Sequence, residues 1–160
     1  MKKSAKMMTI AFLSGVFLSA MTAVVSAGEA SGSYAYYDCN DFYYKFKNTV
    51  YTDDVVGLVR GRTEIDSVNP NIKIPVGWAG AQAIVYNKNT GKRVTETPMG
   101  YNYAADIGWI ATTPIYNTKN GTFYTDGLVQ AYHPSDKNAV YYPYHQYIGF
   151  ASPYQTISIK

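Results

Sequence analysis

The chain has 160 residues, with 14 lysines and arginines against 11 aspartates and glutamates and a formal charge of +3. That excess lies in Lys2, Lys3 and Lys6. Without them the chain is near neutral and lacks the clustered cations that bind nucleic acid or hold a protein to a charged membrane surface. Cys39 is the only cysteine, which excludes an intramolecular disulfide.

In chain order, Met1-Lys2-Lys3-Ser4-Ala5-Lys6 is a basic head, followed by an apolar run over residues 7–25. Val25-Ser26-Ala27 then supplies the small residues that precede a signal-peptidase cut. The expectation is a cleavable signal helix over 1–27, and so a secreted, extracellular protein with no membrane anchor in its mature form. Residues 28–33 read as a flexible leader. Residues 34–160 read as one domain, long enough to bury a core.

A short strand is expected at 34–37, ended by the turn-forming Asp38-Cys39-Asn40-Asp41. Over 42–47, Phe42, Tyr44 and Phe46 alternate with Tyr43, Lys45 and Lys47, the period of a half-buried strand. Thr52-Asp53-Asp54 turns the chain into a β-branched strand at 55–62. Residues 64–75, with Asn69-Pro70-Asn71 as breaker, read as the longest loop. Over 78–86, Trp78, Gly80, Gln82, Ile84 and Tyr86 alternate with Ala79, Ala81, Ala83 and Val85, a small apolar face suited to packing on another sheet.

Val85-Tyr86-Asn87-Lys88-Asn89-Thr90-Gly91 and Ile115-Tyr116-Asn117-Thr118-Lys119-Asn120-Gly121 are near-copies of one turn. Each predicts a hairpin loop closing on a glycine at positive φ. Between them stand a polar strand at 92–97 and a strand at 101–113. A strand at 122–133 is interrupted by Gly127, a loop spans 133–138, and the chain ends in a strand from Gln155. About eight to ten short strands without an amphipathic helix predict an all-β, antiparallel β-sandwich, with a small β-barrel as the alternative.

Tyrosine is the loudest signal, 17 of 160 residues. Its flat apolar face and hydroxyl suit it to stacking on sugar rings or anchoring a protein interface. At the borders of a sheet it also sits well with its ring inward and its hydroxyl wet. In Tyr141, Tyr142, Tyr144 and Tyr147, Pro143 interrupts the ladder and adjacent rings cannot all face a core. These four, with Trp78 and Trp109, are the candidate binding residues, and an extracellular protein or a cell-surface glycan is the expected partner. The expected role is non-catalytic contact by a secreted bacterial protein, as an extracellular binding protein, a bacteriocin- or toxin-like effector or a carbohydrate-binding module. A monomer or weak homo-oligomer is expected.

Asp38-Cys39-Asn40-Asp41-Phe42 resembles, at Asp38, Cys39 and Phe42, the Asp-Cys-Ser-Gly-Phe/Leu segment of NlpC/P60-type cell-wall peptidases. The resemblance implies a secreted enzyme in which Cys39 attacks a peptide carbonyl after a histidine takes its proton. Asn40 and Asp41 replace that family's Ser-Gly pair, and residues 42–47 read as strand where the family has a helix that lowers the thiol pKa. Neither His133 nor His145 stands in its His-Val-Gly context. His133, His145 and Asp136 lack the close histidine pair or cysteine cluster that fixes a metal. Glu64, Glu96 and Asp106 show no pairing that marks a glycosidase. The sequence therefore predicts no catalytic residue, metal or cofactor, with a cell-wall cysteine peptidase or other secreted hydrolase as the alternative class.

Overall fold

The computed structural model describes residues 28–39, 42–132 and 144–159, with the backbone alone described at Cys39, Tyr144, His145 and Ile148. The expected signal segment, 1–27, lies outside these residues. The described residues are all-β, with antiparallel sheets and no helix. The strands are β1 (Gly28–Ser31), β2 (Ala35–Cys39), β3 (Phe42–Asp53), β4 (Leu58–Ser67), β5 (Ala79–Gln82), β6 (Ile84–Asn87) and β7 (Arg93–Glu96). They continue with β8 (Gly100–Tyr101), β9 (Gly108–Thr112), β10 (Tyr116–Asn117), β11 (Asn120–Thr125), β12 (Leu128–Tyr132), β13 (Tyr144–Ile148) and β14 (Gln155–Ser158).

The first sheet is built on the long β3–β4 pair, in register from Tyr44↔Ser67 to Asp53↔Leu58. β1 and β2 pair end to end along β3, and β10 and β9 along β4. The other two sheets run β14-β11-β6-β7 and β13-β12-β5-β8. Each position in one order is filled by the chain neighbour of the strand at the same position in the other. Together they are four long lanes, each broken at its middle.

The breaks have side-chain causes. At Ala83 the backbone N–H donates to Thr97 Oγ1 at 3.0 Å, while Thr97 N donates to Ala83 O at 2.9 Å. Between β11 and β12, Gly127 N donates to Asn48 Oδ1 at 3.1 Å. Thr125 N donates to Ser152 Oγ at 2.9 Å, and Ser152 N to Thr125 O at 2.8 Å. Hydroxyls and one amide thus take over where the ladder lapses, as buried backbone groups require.

Two apolar clusters lie on either side of this waist. Tyr44, Phe46 and Ile65 of the first sheet share one with Ala79, Ala81, Val129 and Ala131. Val50 and Val59 share the other with Val85, Phe123 and Ile157. Between them, fully buried Asn48 accepts from Thr63 Oγ1 at 2.7 Å and donates through Nδ2 to Phe150 O at 3.1 Å. A Cβ on Gly127 would lie 1.9 Å from Thr63 Oγ1 and 2.3 Å from Gln82 O, so only glycine lets the lanes cross there.

Several expectations are corrected. Residues 28–31 are not a loose leader but β1, paired with β3 and tied by a 2.8 Å contact between Ser31 Oγ and Thr49 Oγ1. The strand expected at 42–47 runs on to Asp53, because its alternation continues through polar Asn48. Val55 and Val56 lie exposed in a turn, where Asp53 Oδ1 accepts from both backbone N–H groups at 2.9 and 3.4 Å. The segment from Glu64 to Ser67 belongs to β4, so the loop begins only at Val68. The strand expected at 101–113 is interrupted over 102–107. There Asn102 holds the connection by accepting from Ala79 N at 3.0 Å and donating to Pro75 O at 2.8 Å.

Of the two similar turns, the first is the expected hairpin, with Gly91 at φ 66° between paired β6 and β7. Gly121 also has positive φ, 137°, but β10 pairs with β4 whereas β11 pairs with β6 and β14. That turn carries the chain between sheets.

Candidate functional site

The candidate site is the outer face of the first sheet. Apolar and small residues of β3 and β4 turn inward, so alternate positions are left to face out. In register, Lys45 faces Asp66, Lys47 faces Glu64 and Tyr51 faces Arg60. Arg62 occupies the same face, opposite Thr112 of β9.

Glu64 organises this face. Although outward, it is only 6 % exposed. Lys47 Nζ lies 3.2 Å from Oε1 and Arg62 Nη2 2.6 Å from Oε2. Tyr34 donates its hydroxyl to Oε1 at 3.0 Å. The ammonium groups of Lys45 and Lys47 each lie 4.8 Å from the Tyr34 ring centroid, a cation–π geometry. Tyr36, 66 % exposed, stands with its ring 6.3 Å from that of Tyr34.

Burial, then the hydrogen bond to Glu64 and its charge, raise the Tyr34 hydroxyl above the usual tyrosine range. Lys47 is also raised: burial opposes its charge, but the bond to Glu64 and the charge of that carboxylate prevail. Burial first, and the charge of Glu64 second, push the Asp66 carboxyl up.

Beside this cluster lies an open groove of about 390 Å³ lined by Tyr51, Leu58, Arg60, Arg62, Thr112 and Ile115. Arg62 Nη1 donates to Tyr51 Oη at 3.4 Å. With Glu64 on its other nitrogen, this guanidinium is held from two sides. Arg60 is exposed, and among the described residues its side chain has no hydrogen-bond or ion-pair partner. The face can recognise a partner by charge and ring contact. Glu64 is engaged at both oxygens and is poorly placed to move a proton.

Of the residues singled out from sequence, those whose side chains are described lie elsewhere. Tyr147 stacks on Tyr37, with centroids 3.7 Å apart, and packs against the larger core. Trp78 packs on the same core, with ring contacts to Phe42 and Tyr132. Trp109 does so too, its Nε1 donating to Gly100 O at 2.8 Å. The backbone of Tyr144 pairs with Tyr132 in β13, while Tyr141 and Tyr142 lie outside the described residues. Cys39 ends β2 opposite Phe42, and strand β3, not a helix, begins at Phe42. His133 and Asp136 lie outside the described residues.

Sequence reasoning missed Tyr34, Tyr51, Arg60 and Arg62. A usable signal was present: Arg60, Arg62, Glu64 and Asp66 recur at every second residue against Val59, Gly61, Thr63 and Ile65. Comparisons of the chain with protein families, curated proteins and solved structures return no match.

Proposed function

We propose that the chain is a secreted bacterial β-sandwich protein that acts by non-catalytic contact, through the outer face of its first sheet. The sandwich reading is supported by the two apolar clusters, each shared between the first sheet and one of the others. The contact reading rests on one observation: a nearly buried carboxylate, Glu64, spends its hydrogen bonds on fixing Lys47, Arg62 and Tyr34 on an outward face. Burying a charge costs several kcal/mol of desolvation, on the order of what its partners return. The gain is rings and cations held in place before a partner arrives, which lowers the entropy cost of binding.

A carbohydrate-binding role, with a cell-surface glycan as partner, fits this face best. The test is binding of the purified chain to arrayed glycans and to immobilised extracellular proteins, beside a Tyr36→Ala/Lys45→Ala double variant. Both residues are accessible enough to change without opening the core. The reading expects glycan binding that weakens about tenfold or more in the variant, and that is untouched by Cys39→Ser. Undiminished binding by the double variant, or no binding to either class of partner, contradicts it.

A further inference from the structure

We infer that the groove beside Arg60 is a subsite for the carboxylate of an acidic sugar residue, of the hexuronic acid type, within a polysaccharide chain. This rests on the contact reading and names the ligand class.

The unpartnered cation in the groove points to a single negative charge. Of the four cations on the face, Lys47 and Arg62 are answered by Glu64 and Lys45 faces Asp66 in register, while Glu29, Asp38 and Asp53, opposite Tyr51, Tyr43 and Leu58, are the remaining acids. Arg60 alone of these four has neither an ion-pair nor a ring partner among the described residues. A single carboxylate matches it, and a guanidinium fork takes a carboxylate in bidentate fashion. A dianionic phosphate or a polyanionic nucleic acid would leave charge uncompensated.

Arg62 stands two residues along the same strand, so the two arginines leave the sheet about 6.6 Å apart on one face. Its Nη groups are spoken for, and its Nε is buried with no partner among the described residues. Hydroxyls of Tyr51 and Thr112 line the same groove, as do the apolar side chains of Leu58 and Ile115. That combination suits a pyranose, which has an apolar ring face, hydroxyls at its rim and, in a uronic acid, one carboxylate. The volume stands near the low end of the roughly 300–1,000 Å³ range of small-ligand sites.

An acidic peptide fits less well. Extended peptides gain affinity by adding to a free strand edge. Here β4 is already paired with β3 on one side and with β9 and β10 on the other. The groove lies over the face of β4, whose two edges are already taken.

The test is calorimetric titration of the purified chain with a galacturonic acid tetramer, its methyl-esterified form, a glutamate tetramer and inorganic phosphate, on wild type and Arg60→Gln. The inference expects the free-acid tetramer to bind and the ester to bind about tenfold or more weakly. Arg60→Gln should cause a similar loss for the free acid at an unchanged unfolding temperature. Equal binding of acid and ester, wild-type affinity in the variant, or stronger binding of the glutamate tetramer or phosphate overturns it. Failure of the tetramer while the Tyr36/Lys45 face still captures another glycan overturns this inference alone. Silence toward every partner overturns the contact reading as well.

Discussion

Asn48 and Asp126 show how single side chains carry the architecture. Asn48 makes three hydrogen bonds from a fully buried position, to Thr63, Gly127 and Phe150. Asn48→Ala strands these groups without water, and each orphaned group costs about 1–3 kcal/mol. A loss of roughly 3–5 kcal/mol in denaturant unfolding is expected, enough to threaten a domain of ordinary stability. Asp126 is the opposite case, because burial alone raises its carboxyl above the usual aspartate value. The folded chain therefore holds that proton more tightly than the unfolded chain. Its contribution is whole below the ordinary value of about 3.9 and is lost as pH rises through the raised one. Asp126→Asn should melt higher than wild type at pH 7 and equally at pH 3. An equal gain at both pH values contradicts the assignment.

At the scale of strands and turns, the breaks decide the fold. Gly127 is the clearest, since any Cβ there meets Thr63 and the Gln82 carbonyl. Gly127→Ala should cost about 1–3 kcal/mol, the usual penalty for forcing atoms into a packed interior, read as a lower denaturation midpoint. Much of this scale was legible in the sequence. The period of two at Phe42, Tyr44 and Phe46, the Asn87–Gly91 turn and the interruption at Gly127 all mark real features. What could not be read was pairing. Residues 78–86 keep their alternation through Ala83 although β5 and β6 join different ladders, because a change of partner leaves the side-chain period intact. Two turns of nearly the same composition diverge for a like reason: local chemistry sets the turn, and distant strands choose what it connects. The candidate face was hidden in a similar way. Its acids, Glu64 and Asp66, fell in a stretch whose Asn69-Pro70-Asn71 breaker suggested a loop, so their continuation of the alternation at Arg60 and Arg62 went unread.

Across the described residues as a whole, two apolar clusters supply cohesion while the charged outer face is held by one buried acid. That division predicts where the protein fails in alkali. Tyr34 and Lys47 both hold their protons more tightly folded than unfolded. Their contribution is full below the ordinary values of about 10 and 10.4 and is lost as pH rises through the raised ones. Melting temperature should therefore fall above about pH 10, and less steeply in Tyr34→Phe, which has no hydroxyl to titrate. Contact through the outer face is tested most directly by backbone amide shift mapping of the purified chain as it is titrated with the glycan it captures. Shifts should concentrate at Lys45, Lys47, Tyr51, Arg60, Arg62 and Thr112, with Trp78 and Tyr147 unmoved. Shifts centred on those two residues, with the outer face of the first sheet silent, would refute contact through that face.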